Sequence, residues 1–357
     1  MPVIVAENDP IIRNIQVVLD PDTPADRQDA IADYFSVDLP DFGAWRDDLR
    51  ARAASIFPAE FRMADDVEAF RAALPDAEGA IVEGMAFGAA ELDCAPDLRI
   101  VQKFGADLRN IDLAACAARG VPVRPLRRRV NGAVAEHVFA LMLALAKKIC
   151  EIGGRIDAAS LEAVGYAPKL YDSRHCGRSN WGRIGGIGTL EGAVLGAVGL
   201  GEIGRELARR ASAFGMDVLY FQRRRLPPEV EEAHGARYCG FEELLERSDY
   251  VSVQLPSNRE TRGMIDAAAF RRMKPGAVLI NVSRAEIVDR AALIEALESG
   301  RLGGAGLDVF WEEPAAPNDP LTAFPNVVIT PHTAVAARWN GARDVEEAVL
   351  NFAEAIG

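Results

Sequence analysis

The sequence predicts an α/β chain with two doubly wound parallel-sheet domains. Two observations carry that expectation. Short apolar runs alternate with helical patterns through the first hundred residues, and a second, clearer alternation runs from Ala193 to Thr330. Such alternation covers a parallel sheet with helices on both faces. At 357 residues the chain is long enough for two domains, each with its own core. Its 49% hydrophobic and 26% charged residues are the balance of a globular protein.

In the first half, Ile15 to Leu19, Ala80 to Val82 and Arg99 to Lys103 read as strands, with a helix over Val67 to Ala73. Ala133 to Lys148 (AVAEHVFALMLALAKK) is apolar on nearly every side, so a buried helix is expected, between domains or subunits. A polar, glycine-rich connection follows, from about Gly153 to Gly192, and a connection this long is functional or mobile. Beyond it, Ala193 to Val198 is a strand, and Gly201 to Phe214 is a helix that Gly215 ends. Val218 to Phe221, Tyr250 to Leu255, Val278 to Val282, Leu307 to Phe310 and Val327 to Thr330 are further strands. Asp289 caps a helix running to Ser299.

Net charge is -13, which repels polyphosphate and anionic lipid, so neither nucleic acid nor a membrane surface is an expected partner. The longest clean apolar run, Val138 to Ala146, is too short to span a bilayer. Met1 to Pro10 lacks the basic stretch of a secretory signal. Five scattered cysteines (Cys94, Cys116, Cys150, Cys176, Cys239) fit neither a disulfide framework nor a zinc site, so no metal is expected. The cytoplasm is the expected compartment.

Gly199-Leu200-Gly201-Glu202-Ile203-Gly204 is GxGxxG between a strand and an amphipathic helix. The first glycine permits the tight turn, the second lets backbone approach a pyrophosphate, and the third lets helix and strand pack closely. The helix start offers free N–H groups and a positive dipole end to phosphate. An acidic residue ending the second strand would bind a ribose 2′-hydroxyl. Here Gln222, Arg223, Arg224 and Arg225 follow that strand instead. Guanidinium groups suit a 2′-phosphate, so NADP is favoured over NAD; the alternative is a solvated basic loop.

Three more segments place a charged or ionisable residue just past a strand: INVSR ends in Arg284, LDVFWEE in Glu313, and ITPH in His332. In an open parallel sheet, the carboxyl ends of the strands form the ligand crevice. The trio fits reduction of a 2-oxo acid. Arginine binds a carboxylate through paired donors. Histidine exchanges a proton near neutrality, and an adjacent carboxylate favours its charged form. Taken singly, Arg284 reads more readily as a surface ion-pair residue and Glu313 as a loop acid than as catalytic groups. Among the other histidines, His137 is read as a satisfied core residue, His234 as a helix end or loop residue, and His175 stays open.

The segments KFGADLRNIDL, AVAEH, GAVGLGEIG, MKPGAVLINVSRAEIVD, GAGLDVFWEEP and ITPH resemble the D-isomer-specific 2-hydroxyacid dehydrogenase family over about Leu98 to Ala337. The resemblance implies a Rossmann nucleotide-binding domain, 123–333, and a discontinuous flavodoxin-like substrate domain, 1–122 plus 334–357. It implies a homodimer with the AVAEH helix in the interface. Arg284 would bind the substrate, His332 would be the acid/base and Glu313 its partner. Gly105, Ala106 and Asn131 would contact the substrate. Glu202, Ile203, Val282 and Asp308 would touch the cofactor, and Pro256 would shape the adenosine side.

The chain departs from the family pattern at Asp107, Arg109, Ala285 and Val335, and Glu83-Gly84-Met85 replaces an arginine–serine pair. Leu126-Arg127-Arg128-Arg129 is unusually basic, either an attractor of anions or a solvated turn. The connection over 157–180 is longer than the family's and is expected to act as a lid or to cap a partner's site. Two other functions stay open: a non-enzymatic NAD(P)-binding co-regulator, and a phosphite-type dehydrogenase on the same scaffold.

Overall fold

The computed structural model describes all residues, Met1–Gly357, and the chain divides into two units. The first comprises Met1–Asn131 with Ala337–Gly357, the second Gly132–Ala336.

The first unit holds a parallel five-stranded sheet of β1 (Val3–Glu7), β2 (Glu60–Ala64), β3 (Gly79–Val82), β4 (Ile100–Lys103) and β5 (Val123–Pro125). Their order is β2-β1-β3-β4-β5, the flavodoxin-like arrangement. The sequence reading put the domain junction at 122/123. β5 nevertheless hydrogen-bonds to β4, pairing Val101 with Val123, so the first unit runs on to Asn131. The expected strand over Ile15–Leu19 is instead a helix, Arg13–Leu19. All five residues are buried because this helix packs against both the Phe42–Arg52 helix and the C-terminal helix, Arg338–Ile356. An apolar run without periodicity does not tell a short buried helix from a strand. The true first strand, β1, went unread.

The C-terminal helix buries Ala342, Val345, Val349, Phe352 and Ile356, one face at helical spacing. A Cβ at Gly79 would stand 2.8 Å from the Phe352 ring, so only glycine lets β3 lie against it. Arg129 fastens the same helix: its N–H and guanidinium reach Asp344, and Nη2 lies 2.8 Å from Glu347. That basic turn is thus partly consumed by ion pairs rather than simply solvated.

The second unit holds seven parallel strands: β6 (Val194–Val198), β7 (Asp217–Phe221), β8 (Ala236–Tyr238), β9 (Tyr250–Val253), β10 (Ala277–Asn281), β11 (Leu302–Leu307) and β12 (Val327–Ile329). Their order is β12-β11-β10-β9-β6-β7-β8. The chain starts mid-sheet at β6, builds outward to β8, and returns through β9, so the topological switch lies between β6 and β9. β11 falls earlier than the strand expected at Leu307–Phe310, because it is LGGAGL and glycine carries no strand signal. Its glycines answer to close approach. An added Cβ at Gly304 would lie 2.6 Å from the Asn326 carbonyl, and one at Gly306 would lie 2.8 Å from Ile280 and 2.9 Å from Leu141.

Leu141 belongs to the helix Arg129–Ala146. Its 18 residues, with mean hydropathy 1.3, make it long and apolar enough to cross a membrane, longer than the Val138–Ala146 run considered above. Here Val134, Val138, Leu141 and Met142 are buried in the core of the seven-stranded unit. Asp289 caps the Arg290–Glu298 helix through Ala292 N–H, as expected.

Candidate active site

The turn after β6 has the three glycines in three distinct roles. Gly199 has φ +106, and a Cβ there would meet the Gln254 carbonyl at 2.6 Å. A Cβ at Gly204 would meet the Gly199 carbonyl at 2.5 Å. Gly201, at the N-cap of the Glu202–Ala213 helix, has nothing within 4 Å of its would-be Cβ. Two glycines thus close the turn, and the third leaves backbone open to an approaching ligand. That cradle fits a dinucleotide pyrophosphate held at the helix start. Glu202 and Ile203 form the helix's first turn, and exposed Pro256 follows β9 across the switch point.

Past β7, Gln222 accepts a hydrogen bond from Leu200 N–H (3.3 Å) and donates to the Arg224 carbonyl (2.6 Å), tying this loop to the glycine turn. The arginines that follow are not equivalent. Arg225 forms two 2.8 Å bonds to Glu231, which also accepts from the Tyr220 hydroxyl at 2.6 Å. The Arg225 guanidinium and then the Tyr220 hydroxyl hold the Glu231 carboxyl down at about 2. Arg223 pairs with Glu260 at 2.5 Å on the surface. The exposed Arg224 guanidinium has no acidic partner.

Arg284, Glu313 and His332 follow β10, β11 and β12, three neighbouring parallel strands, so their loops leave the same sheet edge. Asn281, almost wholly buried, shapes the first loop. It accepts from Ser283 N–H and Oγ, and donates to the Arg284 carbonyl at 3.0 Å. The Arg284 side chain is exposed; Nη1 donates to the Ser283 carbonyl, and its other donors are open to a ligand. Val282 is buried beside it. Glu313 Oε1 accepts from Phe310 N–H at 2.9 Å, which aims Oε2 at His332 Nδ1, 2.7 Å away. Burial pushes the Glu313 carboxyl up, but the hydrogen bonds from His332 and Phe310 outweigh it and hold the group below its usual range. An ionised carboxylate only accepts, so the proton sits on Nδ1 and Nε2 is left for chemistry.

The resemblance implies a cofactor contact for Asp308, but here the Asp308 carboxylate has no exposed surface. It accepts from Thr330, Thr333 and Ala334 in the His332 turn. His137, read as a core residue, shares a hydrogen bond with Thr330. His234 bonds the Val230 carbonyl and His175 lies in an exposed loop.

In the first unit, Gly105 is buried just past β4 and its carbonyl accepts from Leu126 N–H; Ala106 beside it is exposed. Asn131 is buried. The departures Asp107 and Arg109 answer each other in an ion pair across the loop. Glu7 was missed with its strand: its Oε2 collects the N–H groups of Glu83, Gly84 and Met85 at 2.7, 2.8 and 2.9 Å. The segment that lacks the arginine–serine pair is therefore closed by a carboxylate of the chain's own.

Known proteins resemble this arrangement in sequence and in fold. The model of the D-isomer specific 2-hydroxyacid dehydrogenase NAD-binding domain matches residues 139–334. The chain is 39% identical over 268 residues to a glyoxylate reductase of Thermococcus litoralis, covering 74% of this chain and 76% of that one. It is 35% identical over 295 residues to a glyoxylate/hydroxypyruvate reductase B of Citrobacter koseri, covering 82% and 85%. D-mandelate dehydrogenase of Rhodotorula graminis superposes with TM-score 0.58 at 26% identity, covering 98% and 93%. The chain belongs to the D-isomer-specific 2-hydroxyacid dehydrogenase family. It is a nicotinamide-dependent oxidoreductase acting on a small 2-hydroxy or 2-oxo acid, and these relatives do not favour the co-regulator or phosphite alternatives.

Proposed function

We propose that the chain reduces small 2-oxo acids of the glyoxylate and hydroxypyruvate class with NADPH as preferred donor, using Arg284, Glu313 and His332. The Glu313–His332 hydrogen bond carries this reading, because it engages Nδ1 and leaves Nε2 to face a substrate. A bound nicotinamide supplies hydride to the carbonyl carbon. The chain does the rest. Arg284 binds the substrate carboxylate through its free donors and fixes the oxo group's orientation. His332 donates a proton from Nε2 as negative charge builds on the carbonyl oxygen. Glu313 holds the ring through Nδ1 and so fixes its orientation. Gly105, Ala106 and Asn131 are the proposed substrate contacts of the first unit.

Gln222 in place of an acid, with Arg223 and Arg224 beside it, supports the NADP preference. The partly exposed apolar side of the Arg129–Ala146 helix (Leu143, Leu145) supports a homodimer. The 157–180 connection, exposed over 171–180, is the proposed lid or partner cap. Five free cysteines, two of them exposed, support the cytoplasm. The test is oxidation of NADPH and NADH, followed at 340 nm, with a panel of 2-oxo acids. His332→Gln should lose most turnover while keeping cofactor affinity. Turnover near wild type in that variant, or silence of the wild type across the panel, overturns the assignment.

A further inference from the structure

His332 stands at φ +54, a left-handed backbone that a residue with a Cβ adopts only when its surroundings impose it. Its ring contact with Glu313 does not impose this, since a side-chain bond leaves the backbone free. The turn's other residues do. Thr333 N–H and Ala334 N–H donate to Asp308 Oδ1 and Oδ2, each at 2.8 Å. Thr330 Oγ1 donates to Asp308 Oδ1 at 2.6 Å. Residues on both sides of His332 are thereby fastened to one carboxylate with no exposed surface.

A fourth group reaches in from another element. His137 Nε2 lies 2.9 Å from Thr330 Oγ1 and 3.4 Å from Asp308 Oδ1. The donor count fixes the direction of these bonds. Thr330 has a single hydroxyl proton, and the ionised Asp308 can only accept it. The Thr330 oxygen must therefore accept from His137, which carries its proton on Nε2. His137 itself is set by the Arg129–Ala146 helix, whose Val134, Val138 and Leu141 are locked into the core.

We propose that His137, Thr330 and Asp308 form a part-buried relay of positioning residues that holds the His332 turn in its left-handed, proton-donating geometry. The relay touches neither substrate nor the reacting atoms and acts through the turn. It rests on the reading of His332 as the acid.

Thr330→Val removes the hydroxyl at nearly constant shape, stripping Asp308 of one donor and His137 of its acceptor; Thr330→Ser restores both. Expected for Thr330→Val is a roughly ten- to hundredfold loss of kcat, as for a slightly misplaced catalytic group. Cofactor Kd, read by fluorescence titration, should be unchanged, and Thr330→Ser should recover near wild-type kcat. In a His332→Gln background Thr330→Val should cost nothing further, since the two act as one unit. If folded Thr330→Val keeps wild-type kcat, or if Val and Ser lose equally, the relay is refuted. A purely structural role would lower the melting temperature without changing kcat per folded molecule, and that also refutes it. Should Thr330→Val not fold, His137→Leu and His137→Gln decide instead: loss with Leu and rescue by the amide donor of Gln are expected, and equal activities overturn the proposal. Failure of the acid assignment shows separately, as full turnover in His332→Gln alone.

Discussion

Replacing Arg224 by alanine should weaken NADPH binding more than the same change at Arg223 or Arg225, and should leave NADH binding untouched. The ranking follows from what each guanidinium already holds. Arg225 is bound by two 2.8 Å bonds to Glu231 and has little left to offer a ligand. Arg223 is shared with Glu260 at 2.5 Å. Arg224 has no acidic competitor, so a 2′-phosphate gains its whole charge-assisted bond. Such a bond contributes about 1.5–3 kcal/mol, and each 1.4 kcal/mol is about tenfold in affinity. Arg224 is exposed, and water and salt screen it, so the lower end applies: roughly a tenfold rise in NADPH KM. Arg223→Ala should cost less, because Glu260 already offsets part of that charge, and Arg225→Ala should scarcely change it. The assay is initial rates against NADPH and NADH at fixed 2-oxo acid and low salt. Equal losses with both cofactors, or the largest loss at Arg225, would refute the assignment of this loop to the 2′-phosphate.

Two stability predictions follow from other contacts. Gly306→Ala places a methyl 2.8 Å from Ile280 and 2.9 Å from Leu141, both packed in the core. Overpacking of this kind costs about 1–3 kcal/mol, seen as a drop in melting temperature of roughly 2–4 °C per kcal/mol; an unchanged melting temperature would count against the close helix–sheet approach. Glu231 has its carboxyl lowered from 4.5 to about 2, so the stability it contributes is present above pH 4.5 and is lost as pH falls toward 2. Arg225 is 60% exposed and therefore well screened, so about 1 kcal/mol is expected rather than the full shift. Urea midpoints of wild type and Glu231→Gln should differ at pH 7 and converge only as pH falls to about 2; a gap independent of pH would exclude this linkage.

Much of the site was legible because its signals are local. GxGxxG puts glycine at fixed offsets, and a Cβ would meet backbone at Gly199 and Gly204 but nothing at Gly201. Arg284, Glu313 and His332 each follow a parallel strand, and a parallel sheet puts such positions on one edge without further information. The helix over Val67–Ala73 and the Asp289 cap were legible for the same reason.

What failed was decided by neighbours distant in sequence. Ile15–Leu19 is a helix rather than a strand because neighbouring helices, the C-terminal one among them, pack against it and bury it. β11 hid its strand character in glycines explained by close approach of the Gly276 and Asn326 carbonyls, Ile280 and Leu141. Asp308 carried a motif position but not its partners: those come from Thr330, Thr333 and Ala334, about two dozen residues later, and from His137 far earlier through Thr330. The sequence by itself determined the fold class and the family, because periodicity and short motifs are properties of adjacent residues. Tertiary structure alone decided which arginine is free, which glycines are forced, and how the His332 turn is held. Hydrogen-bond partnership and steric room depend on which residues folding brings together, not on their spacing along the chain.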